Sequence, residues 1–85
     1  MPVLKLLLIF NPHAATGRAA RLLPRIRERL ARFSELTILT TEYAGHARDL
    51  VAGSQLEGFD GLVAAGGDGT LFEVLNGLYQ HEKEI

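Results

Sequence analysis

The segment VLKLLLIF at residues 3–10 constrains the fold most, because it is an apolar run without polar alternation. A strand with one wet face alternates, whereas a short unbroken run fits a strand covered on both faces, as in a parallel sheet flanked by helices. Two further segments read as strands: LTILTT (Leu36 to Thr41), which is β-branched, and DGLVAA (Asp60 to Ala65). Between and after them, apolar residues recur at helical spacing. Ala19, Leu22, Leu23, Ile26, Leu30 and Phe33 form a first stripe, Ala47, Leu50 and Val51 a second, and Leu71, Val74, Leu75, Leu78 and Tyr79 a third. Pro24 falls inside the first, where it either begins a helix afresh or kinks one that began near Arg18. The order βαβαβα predicts an α/β fold, a parallel sheet with right-handed crossovers and helices on its faces.

Bulk properties narrow the class. The chain has 85 residues, 47% hydrophobic and 22% charged, the balance of one small soluble globular unit. It has no cysteine, which excludes a disulfide framework and a thiolate metal site. The longest apolar run, Leu6 to Phe10, is too short to span a bilayer, and only Lys5 precedes it, so no signal peptide is expected. The expected location is cytoplasmic. A net charge of −1 argues against nucleic acid as a partner, yet the charge is segregated. Six arginines from Arg18 to Arg32 face a single glutamate, a net +5, and the remainder carries −6. Arg18, Arg21, Arg25, Arg29 and Arg32 form a stripe centred about 110° from the apolar one, more often a solvated face than a binding surface.

AAGGDGTLFEVLNGL, Ala64 to Leu78, follows the third strand and opens the last helix. In open α/β sheets ligands bind beyond the carboxyl ends of the strands, where strand order reverses. With strand order 2-1-3, the crevice there is lined by NPHAATG after the first strand and GGDGT after the third. Gly66, Gly67 and Gly69 let the backbone turn tightly beside a helix start that favours anions. Asp68 would repel phosphate unless Mg2+ bridges them or the acid binds a hydroxyl, so a metal-nucleotide is the natural ligand. A ligand-free reading fits equally: Thr70 and Glu73 have the spacing of a helix-capping box. Neither G-x-x-x-x-G-K-[ST] nor G-x-G-x-x-G is present.

GGDGTLFEVLNGL resembles the signature of the diacylglycerol kinase catalytic domain family, lipid kinases that include sphingosine and ceramide kinases. NPHAATGRA is similar to the family's N-P-x-A-G-x-G-R, with Ala15 where glycine is usual, and TEYAGHA resembles its Thr followed by G-[HD]-A. The resemblance implies the N-terminal half of the NAD kinase/diacylglycerol kinase-like fold, a three-layer Rossmann-like sheet. It also implies an ATP site formed by Asn11, Pro12, His13, Ala14, Ala15, Gly17, Thr41, Gly66, Gly67, Asp68, Gly69, Thr70 and Glu73. The implied cofactors are ATP and Mg2+, and the implied reaction moves the γ-phosphoryl group to a lipid hydroxyl at a membrane surface, with peripheral association expected. Residues 1–85 would be the N-terminal part of such a catalytic domain. The second glycine-rich segment, the β-rich domain, the metal-binding acids and the catalytic base are expected after Ile85, so no catalytic or metal residue is assigned here. Alone, the chain is expected to bind ATP weakly and transfer nothing.

Other residues carry less. His13, His46 and His81 lack the spacing of a metal site. Asp49 and Asp60 are expected on a helix surface and at the start of a strand, and Tyr43 either stacks on adenine or packs in its loop. The rival readings are an NAD kinase or 6-phosphofructokinase, which share a GGDG turn, and a non-catalytic fragment whose open sheet edge forms a homodimer.

Overall fold

The computed structural model describes residues 4–83. Its elements run β1 (Leu4–Phe10), α1 (Arg18–Ala31), β2 (Ser34–Thr40), α2 (His46–Ala52), β3 (Gly61–Ala65) and α3 (Asp68–Lys83). Short 3-10 turns at Ala14–Gly17 and Leu56–Gly58 precede α1 and β3. Val3, included in the expected first strand, lies outside the described residues. The three strands are parallel in the order β2-β1-β3, as expected. The register aligns Phe10 with Thr40 on one side and with Ala65 on the other, so all three carboxyl ends finish level.

Alternation along β1 divides the core between two layers. Leu7 and Ile9 pack with Ala47, Val51 and Val74 on the face covered by α2 and α3. Leu6, Leu8 and Phe10, also buried, point to the opposite face, where Ala19, Leu22 and Ile26 of α1 adjoin Phe10 and Ala65. Both faces of β1 are therefore dry, the condition its unbroken apolar sequence requires. Asp60 holds the amino end of the sheet: Lys5 N–H donates to its carboxylate at 2.7 Å, and its own N–H donates to the Lys5 carbonyl at 2.7 Å.

The helix α1 is continuous, with Pro24 inside it. Pro24 and Ala20, whose carbonyl loses its intrahelical donor, are both exposed, so water can satisfy that carbonyl. No residue of α1 is buried, Leu22 stays about half exposed, and Phe33, expected on the same stripe, falls in the turn after the helix and is equally exposed, so the stripe is only partly used.

The expected inner face of α3 is corrected by about 100° of rotation. Val74 is buried and Leu78 partly so, but Leu71, Leu75 and Tyr79 are more than half exposed, as is Phe72. Thr70, Glu73, Gly77 and His81 turn inward instead. Gly77 is the reason for the close α2–α3 approach: a Cβ there would lie 2.7 Å from the Arg48 carbonyl oxygen and 2.8 Å from Val51 Cβ. Polar links from Thr70, Glu73 and His81 then fix the azimuth, and His81 Nε2 lies 2.9 Å from the Ser54 carbonyl oxygen.

Candidate nucleotide site

The two loops named from sequence meet. Asn11 N–H donates to the Ala65 carbonyl at 2.9 Å, and Thr41 N–H donates to the Phe10 carbonyl at 2.8 Å, continuing the ladder past the strand ends. The Asn11 side chain then acts as a clasp. Its Oδ1 accepts from His13 N–H at 3.0 Å, shaping its own loop, and its Nδ2 donates to Thr70 Oγ1 at 3.3 Å on α3. Thr70 is buried, with 4% of its surface accessible. Its backbone N–H donates to the Gly67 carbonyl at 3.1 Å, which closes the turn into α3.

Gly66 must be glycine for steric reasons. A Cβ there would meet Thr70 Oγ1 at 2.5 Å and Asn11 Cβ at 3.2 Å, the two sides of the clasp. Around Gly67 and Gly69, by contrast, nothing lies within 4 Å of a built Cβ. The backbone start of α3 is thus open to an approaching group, and its first amides, those of Asp68 and Gly69, precede the intrahelical ladder.

The candidate residues line two clefts rather than one. A cleft of about 170 Å³ is lined by Asn11, His13, Thr41, Tyr43, Ala44, Thr70 and Glu73. A second, of about 190 Å³, lies toward α1 and collects Ala14, Gly66 and Gly67 beside Phe10, Ala19 and Leu22. Pro12, Gly17, Asp68 and Gly69 line neither, although Asp68 and Gly69 stand exposed in the first turn of α3. Ala15 falls in the 3-10 turn after Asn11.

Glu73 does not close the expected capping box on its own helix. Its carboxylate accepts from Gly45 N–H at 3.2 Å and Ala47 N–H at 3.3 Å, so it caps α2 from α3. The turn it pins, Tyr43 to Gly45, forms one wall of the first cleft. Tyr43 stacks on His46 with ring centroids 4.2 Å apart, and the His46 Nδ1 accepts from Glu42 N–H at 2.9 Å. Ala44 and this tertiary cap went unnoticed in the sequence, where Gly45 and Glu73 are 28 residues apart.

The donor set can be tested against a magnesium nucleotide. No lysine or arginine lines either cleft, while Asp68 and Glu73 bring carboxylates nearby. A polyphosphate would gain only amide donors and the helix start, so a divalent cation is needed to offset its charge. Among the described residues no group of three or more His, Asp or Glu side chains is assembled to hold a metal alone. The observation that fits a phosphate-bearing ligand is the open turn, where no atom lies within 4 Å of a Cβ built at Gly67 or Gly69 and the backbone amides can be approached closely.

Comparison with known proteins gives one family. Residues 5–85 match the model of the diacylglycerol kinase catalytic domain. Human sphingosine kinase 2 is 43% identical over 79 residues, covering 87% of this chain and 12% of that protein. A diacylglycerol kinase of Staphylococcus saprophyticus is 39% identical over 72 residues, covering 84% and 24% respectively. A Bacillus anthracis protein of solved structure, assigned as a diacylglycerol kinase, superposes with a TM-score of 0.72 at 36% identity, covering 86% of this chain and 26% of its own. The chain spans a quarter or less of the two curated relatives.

Proposed function

This chain belongs to the diacylglycerol kinase catalytic domain family, and we propose that it forms the nucleotide-binding part of an ATP-dependent lipid kinase. Residues 1–85 supply one side of an Mg·ATP cradle at the carboxyl ends of the strands. The observation that carries this reading is the Asn11–Thr70 clasp, which holds the loop after β1 against the turn after β3 around a glycine with no room for a side chain. Bound Mg·ATP supplies the transferable γ-phosphoryl group and a metal that offsets its charge.

The chain's own residues bind and orient. The amides at Gly67, Asp68 and Gly69 would receive the phosphates at the start of α3, where the exposed Asp68 carboxylate would meet phosphate only across a bridging Mg2+. Thr41, His13 and Tyr43 line the first cleft, where the nucleoside end fits, and Glu73 fixes its Tyr43–Gly45 wall through α2. The acceptor would be the hydroxyl of a diacylglycerol-like lipid, which would give its proton to a carboxylate as its oxygen bonds the γ-phosphorus and the bond from that phosphorus to the departing ADP breaks. That carboxylate is not assigned to this chain. No described helix is long and apolar enough to cross a membrane, and we place the kinase in the cytoplasm, meeting its lipid at the bilayer surface. The family match over residues 5–85 favours this over an NAD kinase or 6-phosphofructokinase.

Titration of the 15N-labelled chain with Mg·ATP tests the proposal. Saturable shifts are expected at Asn11, Gly67, Gly69 and Thr70. Their absence would leave the glycine turn as a structural device and favour a non-catalytic, self-associating chain.

A further inference from the structure

His46 lines neither cleft, yet one wall of the first cleft is held by it. Tyr43 and Ala44, which form that wall, are exposed and belong to the turn that leaves the sheet after Thr41. The half-buried His46 holds this turn by backbone and by ring. Its backbone N–H donates to the Tyr43 carbonyl at 3.1 Å and closes the turn. Its Nδ1 accepts from Glu42 N–H at 2.9 Å, and its ring lies on that of Tyr43 with centroids 4.2 Å apart and 16° between the planes. The backbone bond asks nothing of the side chain. The ring contacts ask for a flat group with an acceptor at Nδ1.

Only one protonation state supplies that acceptor. Nδ1 accepts when the ring is neutral with its proton on Nε2, whereas the imidazolium carries N–H at both positions. A proton on Nδ1 would set two donors against each other, and the ring would have to turn, taking away the surface on which Tyr43 lies. Imidazole is the side chain whose ordinary titration falls between pH 5 and 8. Its charged neighbours leave that proton free to enter. Glu42 on the turn, Asp49 on α2 and Glu73 on α3 are carboxylates, and Glu73 accepts from Gly45 and Ala47 on either side of His46. Against them stand Arg48 on α2, whose guanidinium meets Asp49 at 3.3 Å, and His13, which lines the same cleft. The face of the Tyr43 ring also tolerates a cation. Protonation therefore removes one hydrogen bond and leaves the fold standing.

We infer that His46 is a positioning residue for the nucleoside end of the site. Neutral, it holds Tyr43 in the wall of the first cleft; protonated, it releases Tyr43, so nucleotide affinity falls as pH drops through the imidazole range. The inference rests on the nucleotide reading of this cleft. Its sign follows from the acceptor: the Glu42–His46 bond is fully present above the imidazole titration and lost below it.

Titration of the 15N-labelled chain with Mg·ATP at about pH 7.5 and about pH 5.5 tests it, on either side of the imidazole range. His46→Asn is the reference, because its amide oxygen can accept from Glu42 N–H and does not titrate. The ratio of wild-type to His46→Asn affinity cancels titration of the nucleotide, of His13 and of Glu73. That ratio should fall about threefold to tenfold from the higher to the lower pH, the worth of one hydrogen bond. His46→Phe keeps a ring without an acceptor, and should bind at the higher pH about as weakly as the wild type at the lower. Without nucleotide, the Glu42 amide and the Tyr43 ring resonances should move with the same midpoint as the His46 ring. An unchanged helical circular dichroism signal certifies each variant, and if His46→Phe does not fold the His46→Asn ratio decides alone. A flat ratio while Mg·ATP binds, full-strength binding by folded His46→Phe, or Tyr43 resonances indifferent to the His46 titration overturns the inference and leaves the nucleotide reading intact. Absence of saturable binding at both pH values overturns the two together.

Discussion

Glu73 is the side chain whose removal most sharply separates the observed structure from a simpler one. In a local capping box its loss would fray the start of α3; here it should loosen the start of α2. Glu73→Ala removes two acceptors, at 3.2 and 3.3 Å, from amides that have no intrahelical partner. Loss of a cap costs about 1 kcal/mol, and hydrogen bonds to a charged group are worth about 1.5–3 kcal/mol each. Both contacts are long and half-buried, so about 2 kcal/mol in total is expected. For a chain of this size that is a fall of roughly 10 °C in Tm. Thermal and urea melts give the stability, and amide hydrogen exchange gives the location. Gly45 and Ala47 should lose protection more than Thr70 and Leu71. A loss under about 0.5 kcal/mol, or faster exchange confined to the first turn of α3, would refute the tertiary cap.

Two glycine substitutions should behave oppositely. Gly77→Ala places a methyl 2.7 Å from the Arg48 carbonyl and should destabilise by about 1–3 kcal/mol, read by urea melting. Gly69→Ala meets open space in a helical turn and should stabilise by up to about 1 kcal/mol while weakening Mg·ATP binding, read by melting and titration of one sample. Gly66→Ala collides with Thr70 and Asn11, so it should cost stability and abolish the ATP-dependent shifts together.

Sequence and structure agree where one interaction dominates. β1 was legible because five consecutive residues, Leu6 to Phe10, are dry on both faces, and nothing but a central strand satisfies that pattern. The strand order and the meeting of the two loops followed, since a central β1 brings both neighbours' carboxyl ends to one side. Pro24 was ambiguous because its cost depends on whether the orphaned carbonyl meets water, which only tertiary placement decides. The azimuth of α3 was misread for a related reason. Its apolar stripe through Leu71 and Leu75 is real, but Gly77 permits backbone approach to α2, and Thr70 and Glu73 demand polar partners on that same side. Close packing and satisfied polar groups outweighed the burial of two leucines. In the site, the residue types were legible, but their division between two clefts was not, because it depends on which face of the loop pair each side chain leaves.

The central claim is that a metal-nucleotide sits across the start of α3 and the loop after β1. Replacing Mg2+ by paramagnetic Mn2+ in the bound nucleotide maps it directly, since relaxation of amide protons falls steeply with distance from the metal. Selective broadening of Asn11 to Gly17 and Gly66 to Thr70, with the last turns of α1 and α3 unaffected, is the predicted result. Broadening spread evenly over the surface, or absent from Gly67 and Gly69, would contradict it.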